Sequence, residues 1–253
     1  MKKACLITAV TLAVLLHSTA SRADEIRVLS SVGIKAVVDE LAPQFERATG
    51  NKLTIGYGLI SDIRKRILEG ESADVIILSR PVMDELQKQD KVAVGPITNV
   101  VGTAVSVAAR AGAPKPDMSS VDAFKRSLLA AKSIVYADPA KGGASGVYFV
   151  KVLDRLGITD QMKSKTILVP GAQAAEVVAK GEAEMGVAQA SEIVPIAGAQ
   201  LVGPLPGDLN NVTLFAAGIG SASKDPAAAK ALIEHVTGPV GAGVLKSKGL
   251  DPA

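Results

Sequence analysis

Short apolar runs alternate with segments of helical periodicity along most of the chain, and this alternation restricts the fold more than any other feature. Residues 26–30 and 52–57 have strand character, and residues 73–78 form a continuous apolar run, typical of a parallel strand covered on both faces. Between the first two, residues 34–48 place apolar side chains at helical spacing and end before Gly50. This order predicts a parallel sheet with helices on its faces.

The second half of the chain repeats this plan. A longer strand at residues 100–109 interrupts the rhythm, and a second series follows, with a helix near residues 121–130, a strand at residues 166–169 and a helix at residues 172–180. A strand at residues 212–217 then returns. We expect two α/β lobes, with lobe 1 formed by residues 24–100 plus 213–253 and lobe 2 by residues 101–212. Because ligands of open α/β sheets bind at the carboxyl ends of the strands, the cleft between the lobes is the predicted binding site.

The first 23 residues have the character of a cleaved signal peptide. Lys2 and Lys3 precede an apolar run at residues 4–16, and Ser21-Arg22-Ala23 offers small residues at the cleavage positions. Cys5 lies before the apolar run rather than at its end, which disfavours a lipoprotein. The pattern predicts a protein exported to the periplasm without a membrane anchor.

Removal of this segment changes what the composition implies. Lys plus Arg falls from 28 to 25, equal to the 25 Asp plus Glu, so the basic character gives no support for nucleic-acid binding. The remaining chain has no cysteine and one histidine, His235, which excludes disulfides, thiol catalysis and Cys/His zinc sites. We expect no metal, no cofactor, no nucleic-acid partner and a monomer.

A glycine-rich turn at residues 138–148 joins a predicted strand, residues 133–137, to a predicted helix, residues 147–156. The turn contains Lys141, Gly143 and Ser145. Free backbone N–H groups and the positive end of a helix dipole suit such a turn to an anion. Two other strand-to-helix turns, at Ser30-Ser31 and at Ser61, have the same character, and Ser61 is the predicted N-cap of its helix.

Four segments together resemble exported solute-binding proteins of ABC-type transporters, specifically their molybdate-binding-like branch. The matching segments are residues 26–34, residues 73–79, Asp138-Pro139 with residues 146–148, and residues 185–188. The resemblance implies an α/β fold of the type II periplasmic-binding-protein class: two lobes, each a mixed sheet flanked by helices, with two crossover strands at the hinge. It also implies a small anionic ligand and a membrane ABC transporter permease as partner.

The chain departs from that branch at the positions expected to hold the oxyanion. The resemblance implies serine hydroxyls after the first strand and before the second helix, and a tyrosine late in the second lobe. The corresponding positions here are Gly33, Ile60 and Gln189, with Ser31 and Ser61 one or two places away.

Two cations are added near the predicted cleft, Arg80 at the end of a strand and Lys141 in the glycine turn. A guanidinium matches a carboxylate in bidentate fashion, so the ligand predicted is a di- or tricarboxylate rather than molybdate. For Arg80 the alternative is an ion pair with Asp84 on the next helical turn. The complete set of candidate ligand-binding residues is Ser30, Ser31, Gly33, Ser61, Arg80, Lys141, Gly143, Ser145, Gln173 and Gln189.

Two functions are compatible with these residues. One is a receptor that hands a small organic anion to a transporter, and the other is an aconitate isomerase built on the same scaffold. The isomerase moves an allylic proton and therefore needs a base and groups that stabilise the developing charge. Lys141 and Tyr148 are the first candidates for the base, followed by Tyr57 and Asp62, and the sequence alone does not choose between them.

Overall fold

The computed structural model describes residues 25–248 and 250–252. The predicted signal peptide lies outside these ranges. The strands are β1 Glu25–Ser31, β2 Lys52–Gly58, β3 Val75–Ser79, β4 Thr98–Arg110, β5 Ile134–Ala137, β6 Thr166–Val169, β7 Met185–Gln189, β8 Ala199–Pro204, β9 Val212–Ile219 and β10 Asp251–Pro252. The helices are α1 Lys35–Thr49, α2 Ile60–Leu68, α3 Arg80–Lys88, α4 Val121–Ala130, α5 Ala144–Leu156, α6 Thr159–Lys163, α7 Ala174–Ala179, α8 Ala190–Ile193, α9 Pro226–Thr237 and α10 Pro239–Ser247. Short 3-10 turns occur at Val32–Ile34, Pro139–Lys141 and Gly207–Leu209.

The strands follow the order β2-β1-β3-β9-β4-β7-β5-β6, with β8 and β10 also paired to β4. In lobe 1, β2, β1 and β3 are parallel, and β9 runs antiparallel to both β3 and the first half of β4. In lobe 2, β6, β5 and β7 are parallel, and β7 and β8 run antiparallel to the second half of β4. Each lobe is thus a mixed sheet, as predicted.

The chain crosses between the lobes on two neighbouring strands. Ala104 pairs with Val212 in lobe 1, whereas Val105 pairs with Gln189 in lobe 2, so β4 changes partners between these two residues. The Val105 N–H donates to the Asn211 carbonyl at 2.9 Å, beside the start of the returning strand β9. The predicted two-lobed fold with two crossover strands is confirmed. The predicted lobe boundaries, at 100/101 and 212/213, stay a prediction.

Helices cover both faces of the sheets, which the apolar run of β3 requires. Val75 and Ile77 belong to the core under α1, α9 and α10, whereas Ile76 and Leu78 belong to the core under α2 and α3. The alternation follows from the two-residue period of a strand. Lobe 2 has the same three-layer arrangement, with Phe149 of α5 in one core and Val178 of α7 in the other.

The helix starts differ from the predictions at functionally relevant places. The N-cap of α2 is Leu59, not Ser61, because Leu59 keeps an extended backbone and Ser61 is already the second helical residue. Helix α5 begins at Ala144, three residues earlier than predicted, with Gly143 as its N-cap. Helix α6 was not predicted, and α7 is shorter than the predicted segment 172–180. Within the described residues, no helix is long and apolar enough to cross a membrane.

Candidate functional site

The cleft between the lobes contains an inner cavity and an outer cavity. The inner cavity, of ≈ 20 Å³, is bounded by the ends of β1, β5 and β7 and by the starts of α2 and α5. Its walls come from both lobes, and its polar members are Ser31, Ser145, Gln189 and Glu192. The outer cavity, of ≈ 490 Å³, continues the cleft toward solvent and shares Val32, Leu59, Gly171 and Glu192 with the inner one. The carboxyl ends of strands from both lobes therefore meet at one site.

Two helices begin at the inner cavity without a side-chain cap. Leu59, the N-cap of α2, and Gly143, the N-cap of α5, both line the cavity, and neither side chain accepts a hydrogen bond from the first helical turn. The first N–H groups of a helix have no intrahelical acceptor, and the helix dipole makes this end positive. One such end from each lobe faces the cavity, so the site is suited to a negatively charged ligand.

The turn after β1 forms the lobe 1 wall. The Ser31 hydroxyl accepts from the Gly33 N–H at 3.2 Å and caps the 3-10 turn. A Cβ on Gly33 would lie 2.6 Å from the Phe215 ring, so only glycine fits beside this aromatic part of the wall. Ser30 is fully buried, donates to the Ser31 carbonyl at 3.3 Å and supports the turn without lining either cavity.

The glycine-rich turn forms the lobe 2 wall. Gly143 and Ser145 line the inner cavity, and Ser145 is 3% exposed as the second residue of α5. A Cβ on Gly146 would lie 1.9 Å from the Ala137 carbonyl oxygen, so glycine at this position lets the helix start lie directly on β5. The placement agrees with the turn predicted from sequence, although ligand contact by these residues stays a prediction.

Gln189, at the end of β7, has an incomplete set of hydrogen bonds. Its Nε2 donates to Thr213 Oγ1 at 2.9 Å, while its buried Oε1 has no partner among the described residues. A rotation of the amide by 180° would let the Thr213 hydroxyl donate to Oε1 and would leave Nε2 as a free donor. A bound anion would satisfy that donor, and ligand contact by Gln189 stays a prediction.

The two lobes are in contact on either side of the inner cavity. The Ser61 hydroxyl of lobe 1 donates to the Lys141 carbonyl of lobe 2 at 2.9 Å. The Ser191 hydroxyl of lobe 2 donates to the Gly33 carbonyl of lobe 1. An inner cavity of ≈ 20 Å³ holds about one water molecule, so a larger ligand requires the lobes to separate in a hinge motion.

The two predicted cations do not line either cavity. The Arg80 guanidinium donates to Asp84 Oδ1 at 2.8 Å, to Asn99 Oδ1 at 3.1 Å and to the Ile97 carbonyl at 3.4 Å. The ion pair with Asp84, which was the alternative for this residue, is present. The Lys141 side chain is exposed, and its backbone carbonyl rather than its ammonium group makes the contact with Ser61.

The remaining predicted residues lie at the mouth of the cleft or outside it. Gln173 and Asp62 line the outer cavity and are exposed. The Tyr148 hydroxyl donates to the Leu209 carbonyl at 3.1 Å, away from both cavities, so its position does not support the predicted base role. The Tyr57 hydroxyl donates to Asp39 Oδ1 at 2.7 Å, and burial, followed by this carboxylate, raises the pKa of Tyr57 well above its usual value. A tyrosine held in this way is a poor proton acceptor.

Sequence reasoning missed one ionisable residue of the inner cavity, Glu192. This residue, in the short helix α8, is half-buried and lines both cavities. Its Oε2 accepts from the Gln189 N–H at 3.1 Å. Desolvation raises the pKa of the Glu192 carboxyl to about 7, against the opposing effect of the Gln189 hydrogen bond. The spacing Gln189-x-x-Glu192 after an apolar strand was the available signal, but it is equally typical of a capping box.

Fold and site together define an extracellular solute-binding protein. The family model described as "Bacterial extracellular solute-binding protein" matches residues 26–251, and the chain belongs to this family. The two-lobed fold, the hinge strands and the cleft at the carboxyl ends of the strands are those of the type II class.

Two relatives align over most of the chain. It is 35% identical to aconitate isomerase from Pseudomonas sp over 231 residues, covering 89% of this chain and 87% of that protein. It is 31% identical to the molybdate-binding protein ModA of Azotobacter vinelandii over 243 residues, covering 92% of each. The solved structure of the Azotobacter vinelandii periplasmic molybdate-binding protein superposes with a TM-score of 0.73 at 20% identity, covering 89% of this chain and 98% of that one.

Proposed function

We propose that this protein binds a small polycarboxylate in the cleft between its lobes and interconverts cis- and trans-aconitate there. The observation that carries the proposal is the pair of uncapped helix starts, α2 in lobe 1 and α5 in lobe 2, that face one cavity. Each is a place for one anionic group, so a ligand with two or more carboxylates can engage both lobes at once.

The shape of the cleft favours an organic anion over a tetrahedral oxyanion. The inner cavity holds about one water molecule while the lobes are in contact, so it admits a single carboxylate only after hinge opening, whereas the outer cavity of ≈ 490 Å³ extends directly from it. A polycarboxylate can place one carboxylate in the inner cavity and the rest of the molecule in the outer cavity. A compact tetrahedral ion is too small to occupy both. Gly33, Ile60 and Gln189 also stand where the molybdate-binding pattern has hydroxyl groups.

The choice of aconitate rests on the similarity to the aconitate isomerase from Pseudomonas sp, which extends over both lobes. The chain belongs to a solute-binding family and is similar to a molybdate-binding protein. Both observations support a second candidate function, a periplasmic receptor that delivers the polycarboxylate to an ABC transporter. The two candidates share the ligand and differ in turnover. Export to the periplasm, predicted from residues 1–23, is part of both.

A thermal-shift panel on the protein without residues 1–23 tests the ligand class. The panel contains molybdate, tungstate, sulfate, citrate, cis- and trans-aconitate, tricarballylate and simple dicarboxylates. A ligand present at a hundred times its Kd adds about 2.7 kcal/mol to the free energy of unfolding, which raises the Tm by several degrees. Stabilisation by molybdate alone would overturn the carboxylate proposal.

Proton NMR of each aconitate isomer with the protein then separates the two candidates. Growth of the other isomer at a rate proportional to protein concentration supports the isomerase. Tight binding of tricarboxylates without any interconversion would exclude the isomerase function and support the transport receptor.

A further inference from the structure

We propose that Glu192 is the catalytic base of the cleft: its carboxylate takes the allylic proton from the substrate and returns it to the other end of the allyl system. The inference rests on the proposed isomerase function and identifies the residue that performs its central step. None of the bases predicted from sequence combines access to the inner cavity with a protected environment, and Glu192 does.

The position of Glu192 is defined by both cavities. It lines the inner cavity, where the anion-binding helix starts lie, and also the outer cavity, through which the substrate must enter. Its Oε2 is held by the Gln189 N–H at 3.1 Å, and its Oε1 accepts no hydrogen bond from the part of the chain that the structure describes. One carboxylate oxygen is therefore oriented by the backbone while the other is available to a ligand.

The environment keeps this carboxyl group able to exchange a proton near neutral pH. No Lys or Arg within the described ranges pairs with it, so desolvation is not offset by a cation, and its pKa rises to about 7. The charged groups that face the same cleft are Lys35 and Asp39 on α1, Asp62 on α2 and Glu176 on α7, all at the outer cavity. Lys35 and Asp39 pair with each other, and Asp62 and Glu176 are exposed.

The step is balanced without any other reactant. Aconitate contains a methylene next to the double bond that its central carbon shares with a CH carbon. Glu192 takes one methylene proton, and the electron pair of that C–H bond forms a new double bond to the central carbon. The electrons of the old double bond move to the former CH carbon, which receives the proton back from the Glu192 carboxylic acid. The substrate keeps its atoms and oxidation state, and Glu192 ends ionised as it began.

Groups that can stabilise the intermediate charge line the same inner cavity as Glu192. The carbanion delocalises into the neighbouring carboxylates, whose oxygens gain negative charge during the transfer. The uncapped N–H groups at the start of α5, beside Gly143 and Ser145, can donate to such an oxygen. A base on α8 and hydrogen-bond donors on α5 thus line one cavity, where both can reach the same substrate.

The competing interpretation is that Glu192 only caps helix α8. Both interpretations use the Gln189 N–H bond, so loss of activity in an alanine variant would not separate them. Glu192→Gln does, because the glutamine carbonyl oxygen can still accept from the Gln189 N–H, while the amide cannot accept a proton at neutral pH. Glu182→Gln is the matched control: it makes the same chemical change at an exposed carboxylate of lobe 2 that lines neither cavity.

The test measures kcat, KM and solvent-deuterium incorporation for wild type, E192Q and E182Q. We expect E192Q to lower kcat about 100-fold or more, with KM changed by less than roughly threefold, because a general base contributes about 10²–10⁴ to the rate. E192Q should also abolish exchange of the aconitate methylene protons in D₂O, and E182Q should change none of these quantities by more than roughly threefold.

The outcomes separate this inference from the proposed function. If wild type binds tricarboxylates but turns over neither isomer, the isomerase function fails and Glu192 has no reaction to catalyse. If wild type is active and E192Q keeps its kcat and its deuterium exchange, the isomerase function stands and the assignment of Glu192 is wrong. Loss of activity in E182Q equal to that in E192Q would also overturn the assignment.

Discussion

Ser61 of lobe 1 and Lys141 of lobe 2 are joined by a hydrogen bond of 2.9 Å, from the serine hydroxyl to the lysine backbone carbonyl. The contact closes one side of the cleft over the inner cavity. It depends on Gly142, which follows Lys141 with φ of 77° and packs against Ser61 so closely that a Cβ would lie 2.2 Å from the Ser61 hydroxyl oxygen. Any side chain at position 142 would therefore meet Ser61 and hinder closure of the lobes.

Gly142→Ala should prevent full closure and weaken ligand binding. The added methyl group meets Ser61 only when the lobes are together, so the cost falls on the closed state. A clash of this kind costs about 1–3 kcal/mol, and 1.4 kcal/mol is tenfold in Kd, so we expect affinity for the best tricarboxylate to fall about tenfold or more. Calorimetric titration measures the affinity, and small-angle scattering should show less compaction on ligand addition than in wild type.

Gly157→Ala is the control for the backbone strain in that experiment. Gly157 also has a positive φ, 66°, but nothing lies within 4 Å of the position its Cβ would take. Both variants place an L-residue in the left-handed region, at a cost of about 1–2 kcal/mol. G157A should therefore lose stability and keep its affinity. Equal affinity in the two variants would show that closure does not involve the Gly142–Ser61 contact.

Gln189→Leu should weaken ligand binding while leaving the fold nearly as stable. The substitution removes a buried oxygen that lacks a partner, which favours the folded state, and it also removes the partner of Thr213. We expect the Tm to stay within about 2 °C. A hydrogen bond to a charged group contributes about 1.5–3 kcal/mol, so the Kd for the tricarboxylate should rise about tenfold or more.

Thr213→Val provides the comparison for Gln189. It breaks only the bond between Thr213 and the Gln189 amide, and Thr213 lines neither cavity. Affinity should fall less in T213V than in Q189L. A larger loss in T213V would mean that the amide acts on the hinge strand β9 rather than on the ligand.

The layered fold was predictable because its signals are local and redundant. The predicted helix 121–130 agrees with α4, and the predicted strand 166–169 agrees with β6. The continuous apolar run at β3 correctly indicated a strand buried on both faces. Helix starts were less predictable: Ser61 has the residue type of an N-cap, but the extended backbone of Leu59 begins the helix earlier.

The site was predictable only where backbone geometry defines it. The glycine-rich turn lines the inner cavity because a strand, a turn and a helix in that order place it there. The direction of a long side chain could not be predicted in this way. The Arg80 guanidinium is held by Asp84 and by Asn99, and Asn99 lies 19 residues away in the sequence. Glu192 was overlooked because its raised pKa comes from burial in the folded protein, whereas the spacing from Gln189 indicates only the helix cap.

Arg80→Ala should lower stability slightly and leave ligand affinity unchanged. Arg80 lies outside both cavities, and its guanidinium is used by Asp84 and Asn99. A partly exposed i,i+4 ion pair with two further hydrogen bonds contributes about 0.5–1 kcal/mol, which corresponds to a Tm decrease of roughly 1–3 °C.

Arg64→Ala is the reference for Arg80, because Arg64 forms a comparable ion pair with Glu85 in the same lobe, also outside the cavities. The two variants should behave alike in thermal unfolding and in ligand titration. A selective loss of tricarboxylate affinity in R80A would restore the ligand role predicted from sequence.

Glu192→Gln should stabilise the unliganded protein at pH 8 but not near pH 4.5. The folded-state pKa of Glu192, about 7, lies above its ordinary value of 4.5, so the folded state keeps a proton that the unfolded chain releases. As the pH rises from about 4.5 to about 7, wild type therefore loses stability, by at most about 3 kcal/mol for a carboxyl shielded from water. The glutamine variant has no proton to release, so its Tm advantage should grow through this interval and level off above it. Parallel melting curves of wild type, E192Q and E182Q from pH 4.5 to pH 8.5 measure this difference. A constant offset between E192Q and wild type across the series would mean that the carboxyl group is solvated in the folded protein, and Glu192 would then lose the property that suits it to accept a proton at neutral pH.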